Sequence, residues 1–301
     1  MPVADVYGRL LYGNGYWGVD CRLVPIADIM HSSMVKIMRD KFSKRKIKQL
    51  GKKFGYNFID SSVPSELFVE ILKYRVDGEA IGKSQEHDFL AYVIKQINKS
   101  KAQLCQDLFV LFFSGQKQNG YFVEFGATNG ITLSNTYLLE KSFGWDGILA
   151  EPARGWHSDL KNNRNCEIEA KCVWSKTGEK LNFNEVDEGE LSTIEQFENR
   201  DGHFAAREQG EKYIVESISL NDLLQTHGAP RFIDYLSVDT EGSELLILSN
   251  FDFSKYDIRI ITVEHNYTKE REEIHKLLTK NGYQRIFTGF SQWDDWYTKV
   301  E

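Results

Sequence analysis

Glu124, Gly126, Ala127, Thr128 and Gly130 form the first segment whose residue types and spacing could do chemistry. Glycine at 126 and 130 lets backbone come close to a ligand where a Cβ would collide. A dinucleotide fingerprint needs G-x-G-x-x-G, and Thr128 stands where its second glycine belongs. The acid before Gly126 also disfavours phosphate, because two negative charges would meet in low dielectric. Glu124 suits the ammonium of an amino-acid moiety instead. The plainer alternative is a tight turn leading into a helix. Glu151 follows 25 positions after Gly126, near the spacing of about 20 at which an acid takes ribose hydroxyls. It is otherwise a surface acid. Two later segments gather Asp239, Glu241 and Glu244, then Glu264, His265 and Asn266. Acids and a histidine converging there suggest a hard divalent cation, or a general base with its supporters. Alternatively, Asp239 and Glu241 cap a helix N-terminus and His265 is a buried histidine bonded to a backbone carbonyl.

These segments matter together only if the fold brings them to one edge, and the intervening pattern is of that kind. Tyr121–Phe125, 147–150, 166–173, 214–218, Phe232–Val238 and 258–263 read as strands; 135–143, 153–162, 244–248 and 269–280 read as helices. Ser219 with Asp222 three residues on opens another helix in capping-box style. Residues 283–287 and 296–299 read as a closing hairpin. Strands alternating with helices imply a mainly parallel sheet covered on both faces, with the hairpin adding one antiparallel strand. In such sheets ligands sit beyond the carboxyl ends of the strands, where each segment above lies. Residues 174–212 interrupt the rhythm and are either a lid over the acceptor, with His203, Arg207 and Lys212 as polar contacts, or a structural excursion.

Before a break near residues 114–120 the sequence is mostly helical. An amphipathic stretch over 36–53 carries nine basic residues and one acid, Asp40; it reads as a solvated face or as a contact for an anionic substrate or membrane surface. A further helical stretch, 86–113, has Phe89, Val93, Ile97, Leu104, Leu108 and Leu111 as its apolar stripe. The organisation expected is therefore a helical region of 1–118 and a ligand-binding domain of 119–301. Apolar residues at 41% and charged residues at 27% are those of a globular protein. A net charge of −7 argues against a wholly basic nucleic-acid binder. No apolar run approaches the roughly 20 residues of a membrane span, and no secretory leader is visible. Cys21, Cys105, Cys166 and Cys172 lack C-x-x-C spacing, which disfavours a zinc ribbon and leaves reduced thiols as the expectation.

Residues 122–130 (Phe-Val-Glu-Phe-Gly-Ala-Thr-Asn-Gly), Leu149-Ala-Glu-Pro152, 237–244 (Ser-Val-Asp-Thr-Glu-Gly-Ser-Glu) and Val263-Glu-His-Asn266, in this order, resemble the FkbM-type family of methyltransferases. The resemblance spans about 119–299. It implies a Rossmann-like α/β fold, a seven-stranded mainly parallel sheet with its last strand antiparallel. It also implies S-adenosylmethionine-dependent O-methylation, on sugars or other hydroxylated small molecules, by a cytoplasmic enzyme. By matched position, Glu124, Gly126, Ala127 and Thr128 hold the methionine part. Ser134, Asn135 and Thr136 bind its carboxylate, Glu151 the ribose, and Pro152, Trp156, Cys172 and Val173 the adenine. Two ways of activating the acceptor hydroxyl stay open. In one, His265 removes the proton. In the other, Mg²⁺ or Mn²⁺ held by Asp239, Glu264 and His265 or Asn266 lowers the hydroxyl pKa; this metal arrangement is similar to that of catechol-type O-methyltransferases. Asp239, Glu241 and His265 are then the catalytic candidates. An NAD-dependent oxidoreductase and a non-catalytic glycan- or partner-binding member of the fold are the competing readings.

Overall fold

A computed structural model describes residues 23–25, 57–59, 85–186, 192–195 and 210–300. Contacts divide the chain into two units, Met1–Gly78 and Glu79–Glu301. In the first, β1 (Leu23–Pro25) and β2 (Asn57–Ile59) pair in parallel. The basic stretch at 36–53 and the lid candidates His203 and Arg207 lie outside the described residues.

The other unit opens with α1 (Gln85–Gln96) and α2 (Gln106–Phe113). The single helical stretch expected over 86–113 is broken at 100–105. There the Asp107 carboxylate accepts from Ser100 Oγ (2.6 Å) and from the Lys101 and Leu108 amides (3.2 and 2.7 Å), while Cys105 takes a left-handed φ of 64°. Side-chain acceptors thus satisfy amides that would otherwise continue the helix. The apolar stripe still finds a core. Phe89 and Phe109 meet Trp296 at 5.9 and 4.7 Å between ring centroids, and Phe89 stacks on Phe287 at 5.1 Å.

Then follow β3 (Tyr121–Phe125), α3 (Tyr137–Phe143), β4 (Asp146–Ala150), α4 (His157–Asn163), β5 (Glu167–Glu169), β6 (Cys172–Trp174), β7 (Lys180–Glu185), β8 (Thr193–Ile194) and β9 (Glu211–Ser219). The chain closes with α5 (Leu220–Thr226), β10 (Phe232–Val238), α6 (Glu244–Ser249), β11 (Asp257–Glu264), α7 (Glu270–Lys280), β12 (Tyr283–Ile286) and β13 (Asp294–Lys299). Seven strands form one sheet in the order β12-β13-β11-β10-β3-β4-β5. β10 pairs in parallel with β3 and β11, β3 with β4, and β4 with β5, while β13 runs antiparallel to both its neighbours. This is the α/β, mainly parallel sheet that the sequence pattern implies.

The strand expected over 166–173 is two strands. β5 ends the main sheet, and β6 leaves it to pair with β9 in a smaller sheet, β6-β9-β7-β8. The Lys171 amide bonds to Glu169 Oε1 (3.1 Å) and turns the chain between them. Ser219 caps α5 as expected, accepting from the Asp222 amide at 3.1 Å. The return half of the box is replaced by Thr177, whose hydroxyl accepts from the Ser219 amide and bonds to the Asp222 carboxylate.

Central strands buried on both faces read as apolar runs. On one face, Val123, Ile148, Leu236 and Ile261 pack with Leu223, Ile247 and Leu278 of α5, α6 and α7. Register then fixes the site: Glu124 pairs with Ser237 and Leu149, and Val238 with Val263. Residues 126, 151, 239 and 264 therefore emerge along one rim.

Candidate functional site

The loop after β3 is shaped by contacts within the protein. Gly126 has φ +70°, and a Cβ there would collide with the Asp239 carbonyl oxygen. Gly130 has φ +78°, and a Cβ would lie 2.7 Å from both Arg164 Cγ and Leu160 Cδ1. The sequence pattern assigns these glycines to a ligand's approach; the backbone of the loop after β10 and the side chains of Leu160 and Arg164 already claim that space.

Glu124, at the end of β3, is buried. Its carboxylate accepts from Ser134 Oγ (3.0 Å), the Asn135 amide (2.7 Å) and Thr136 Oγ1. Burial raises its pKa, opposed chiefly by the Arg164 guanidinium 3.8 Å away. Arg164 has no exposed side-chain surface and also bonds to Glu140 (2.6 Å), the Gly130 carbonyl (3.2 Å), Ser134 (3.1 Å) and Thr136 (2.9 Å). Ser134 and Thr136 thus face Glu124 and Arg164 and do not line the cavity described below; Asn135 does. Asn135 Nδ2 donates to Ser237 Oγ at 2.9 Å, and its buried Oδ1 has no partner among the described residues. A buried amide oxygen in a cavity wall is an acceptor waiting for a donor.

Glu151, following β4, accepts from the Thr128 and Ala153 amides, both at 2.8 Å. Burial is the main reason its carboxyl is pushed up to about 7, with the Glu185 and Glu124 charges adding to it.

Across the rim, one carboxylate oxygen each of Asp239, Glu241 and Glu264 lies within 4.8 Å of the others. The loop carrying the first two is held by Glu244, whose Oε1 accepts from the Thr240 and Gly242 amides (3.0 and 2.9 Å) and from Thr240 Oγ1 (2.9 Å). Glu241 sits at a left-handed φ of 56°, and its carbonyl accepts from Thr193 Oγ1 of β8 at 3.0 Å. Burial first, then Asp294 and Glu244, push the Asp239 carboxyl up to about 8. Glu264 is raised well above the carboxylate range by burial and by Asp239 and Glu241. Carboxylates this close cannot all ionise alone. An all-oxygen, acid-rich donor set fits a hard divalent cation.

His265 is not among them. Its Nδ1 accepts from the Tyr267 amide at 3.0 Å, which leaves the ring proton on Nε2. Nε2 lies 3.7 Å from Asp295, a carboxylate clamped by Arg271 and Arg285. Burial is the main cause of its pKa being pushed down to about 4. The ring does not line the main cavity, and Glu241 takes the place in the acidic group that the sequence pattern assigns to His265.

One cavity of about 400 Å³ joins the two halves of the rim. Its wall includes Glu124, Gly126, Thr128, Asn135, Glu151 and Pro152, then Cys172 and Val173, then Asp239, Glu241 and Glu264. Ala127 is buried behind the loop. Trp156 packs with Ala153, Cys172, Trp174 and Phe183 in a small separate core and not on the wall. Phe183, Thr193 and Ile194 of the smaller sheet also line the cavity, so the 174–212 excursion contributes to it. Lys212 instead pairs with Glu195 at 2.9 Å. Sequence reasoning missed these three, together with Arg164, Gln103 and Trp293. Of these, Phe183 alone sits in a stretch, 180–184, whose residues are patterned like a strand.

Residues 124–285 match the methyltransferase FkbM domain. No curated protein matches the chain. Among solved structures it is similar to a precorrin-6y C5,15-methyltransferase from Geobacter metallireducens GS-15, at 10% identity over 69% of this chain and 76% of that one, with a TM-score of 0.32. It is also similar to a ribosomal protein L11 methylase from Lactobacillus delbrueckii subsp. bulgaricus, at 8% identity over 65% and 77%, with a TM-score of 0.34. A fibrillarin/Nop5p complex gives 12% identity over 64% and 79%, with a TM-score of 0.30.

Proposed function

The chain belongs to the FkbM methyltransferase family, whose members depend on S-adenosylmethionine, and from that premise we propose that it methylates a hydroxyl oxygen of a sugar or other small hydroxylated acceptor with divalent-metal assistance. The observation that carries this reading is the single cavity that places Gly126, Asn135 and Glu151 on one side and three carboxylates on the other.

S-adenosylmethionine supplies, when bound, a methyl group already activated by its sulfonium. The residues must therefore align donor and acceptor and make the acceptor oxygen nucleophilic. Asn135 Oδ1, with no partner among the described residues, takes the donor's ammonium. Glu124 shapes the loop from behind and adds negative potential. The Glu151 carboxylate accepts from the ribose hydroxyls while its two amide bonds hold it in place. Pro152, Cys172, Val173 and Phe183 supply apolar wall for the adenine. Asp239, Glu241 and Glu264 would hold Mg²⁺ or Mn²⁺, which supplies positive charge that makes a hydroxyl easier to deprotonate. The proton that leaves would pass to a carboxylate oxygen of this group that the cation does not occupy. Residues 119–301 are the domain we assign to this chemistry. Among the described residues no helix is long and apolar enough to cross a membrane. The cytoplasmic placement we propose rests on the family resemblance.

Calorimetry with S-adenosylhomocysteine, with and without MgCl₂, tests the donor half. Absence of binding at high protein concentration rejects the reading. Dialysis against chelator tests the other half: loss of methyl transfer restored by Mg²⁺ or Mn²⁺ is expected, and undiminished turnover removes the metal from the mechanism.

A further inference from the structure

Among the side chains of the cavity wall that have no role in the donor and cation readings are Gln103, Tyr267 and Trp293. Gln103 and Trp293 lie outside the family-matched residues 124–285, one on each side. They are nevertheless joined. Trp293 Nε1 donates to Gln103 Oε1 at 3.4 Å, tying the segment before α2 to the turn between β12 and β13. The Trp293 carbonyl accepts from the His265 and Asn266 amides at 2.8 and 3.2 Å, which pins that turn to the loop after β11. That loop carries Tyr267.

Tyr267 is held in an unusual way. Asn266 and Tyr267 have consecutive left-handed φ values of 43° and 56°. Such conformations are costly for non-glycine residues and persist where surrounding contacts enforce them, often at ligand clamps. The Tyr267 amide bonds to His265 Nδ1, and its ring meets the His265 ring edge-on at 5.4 Å. The His265 ring is thus a strut for Tyr267. The tyrosine itself is 66% exposed although it lines the cavity. A large aromatic side chain fixed at a cavity mouth and left open to solvent is placed to receive something.

What it would receive follows from its neighbours. The aromatic faces of Tyr267 and Trp293 offer negative π surface to C–H groups. With its oxygen taken by Trp293, the Gln103 amide has N–H donors to offer a hydroxyl. Asp239, Glu241 and Glu264 supply acceptors. An aromatic wall edged by donors and acceptors matches a ring with an apolar C–H face and a hydroxyl rim. We infer that Tyr267, Trp293 and Gln103 form the acceptor subsite and take a pyranose ring, with its C–H face on the aromatic side chains and its hydroxyls toward Gln103 and the acids. This rests on the methyltransferase reading above. It also locates acceptor choice largely in segments that flank the family-matched region.

The test uses the full chain with S-adenosylhomocysteine and MgCl₂ present. Saturation-transfer NMR is recorded with the methyl glycopyranosides of glucose, galactose, mannose, fucose and rhamnose, and with catechol as a planar competitor. Transfer to the ring C–H protons of at least one glycoside is expected. Tyr267→Ala, at an exposed position where folding is not at stake, and Trp293→Ala should each weaken that binding at least about fivefold, in line with the size of aromatic contacts. Trp293→Phe should restore most of it. Affinity for S-adenosylhomocysteine should stay within about twofold throughout, because the residues assigned to the donor are Asn135, Glu151 and the apolar wall of Pro152, Cys172, Val173 and Phe183. Glycoside binding equal in wild type and both alanine variants overturns the subsite. So does transfer to catechol alone, or to no glycoside while S-adenosylhomocysteine is bound. Failure of S-adenosylhomocysteine itself to bind wild type rejects the parent reading and this one with it.

Discussion

The two halves of the rim are built on opposite principles. Around Glu124 and Glu151 every carboxylate oxygen accepts hydrogen bonds from within the protein, and a buried arginine stands behind the loop. Around Asp239, Glu241 and Glu264 like charges crowd together, while left-handed residues occur in both halves, at Thr128 and Leu133 as at Glu241, Asn266 and Tyr267. The carboxylates of the first half are held in place before any ligand arrives, so it binds by preorganisation. The other half stores electrostatic repulsion that an added positive charge relieves.

The sharpest way to break this contrast is to remove an acid. Asp239→Asn or Glu264→Gln should lower methyl transfer by roughly 10²–10³-fold, the usual cost of losing one electrostatic stabiliser, while S-adenosylhomocysteine affinity measured without divalent cation changes little. Thermal unfolding should show equal or higher stability for Glu264→Gln, because repulsion is reduced. A stability loss comparable to that of a core mutation would mean that this half is as satisfied as its counterpart.

Arg164→Ala should have the reverse profile. Leaving Glu124 buried and unpaired should cost about 3–5 kcal/mol in urea unfolding and weaken donor binding. Arg164→Lys should not rescue it, because a single ammonium cannot reach Glu140, Gly130, Ser134 and Thr136 together.

A smaller effect separates the halves by pH. Glu151 must be ionised to accept from ribose hydroxyls, and its carboxyl sits at about 7. S-adenosylhomocysteine affinity should therefore rise with pH through that value, by up to about tenfold per pH unit on the acid side, and level off above it. Glu151→Gln should bind weakly and show a flat profile by calorimetry. The smallest effect is a control at a residue outside the cavity wall: Ser219→Ala removes the cap of α5 and should cost about 1 kcal/mol, with donor binding and turnover intact.

Legibility in the sequence divides along similar lines. β3 and β10 are readable to the residue because apolar, β-branched and aromatic runs between turn residues have one physical meaning. The order of Glu124, Glu151, Asp239 and Glu264 along the rim follows once the sheet is parallel. The fate of 166–174 is not readable, since the strand that leaves the main sheet is selected by β9, about forty residues later. Arg164 is equally silent: it follows a short helix with no local pattern, and its meaning comes from Glu124, 40 positions earlier. Residue type proposes His265 as ligand or base, but the Tyr267 amide, a contact no periodicity encodes, turns its lone pair inward. Gln103 and Trp293 meet across 190 positions, so their pairing exists only in the folded chain.

The missing Cβ at position 126 has one more implication. With the Asp239 carbonyl seated where that atom would be, the donor loop and the acidic loop have no slack between them. Displacing either one moves the other. Occupancy on one side is then energetically communicated to the other, and thermodynamic reciprocity requires the coupling to run both ways with equal magnitude. Divalent cation should sharpen the grip on the nucleoside by the same factor that the nucleoside sharpens the grip on the cation, and a glycine with a single hydrogen for a side chain is the joint through which that communication passes.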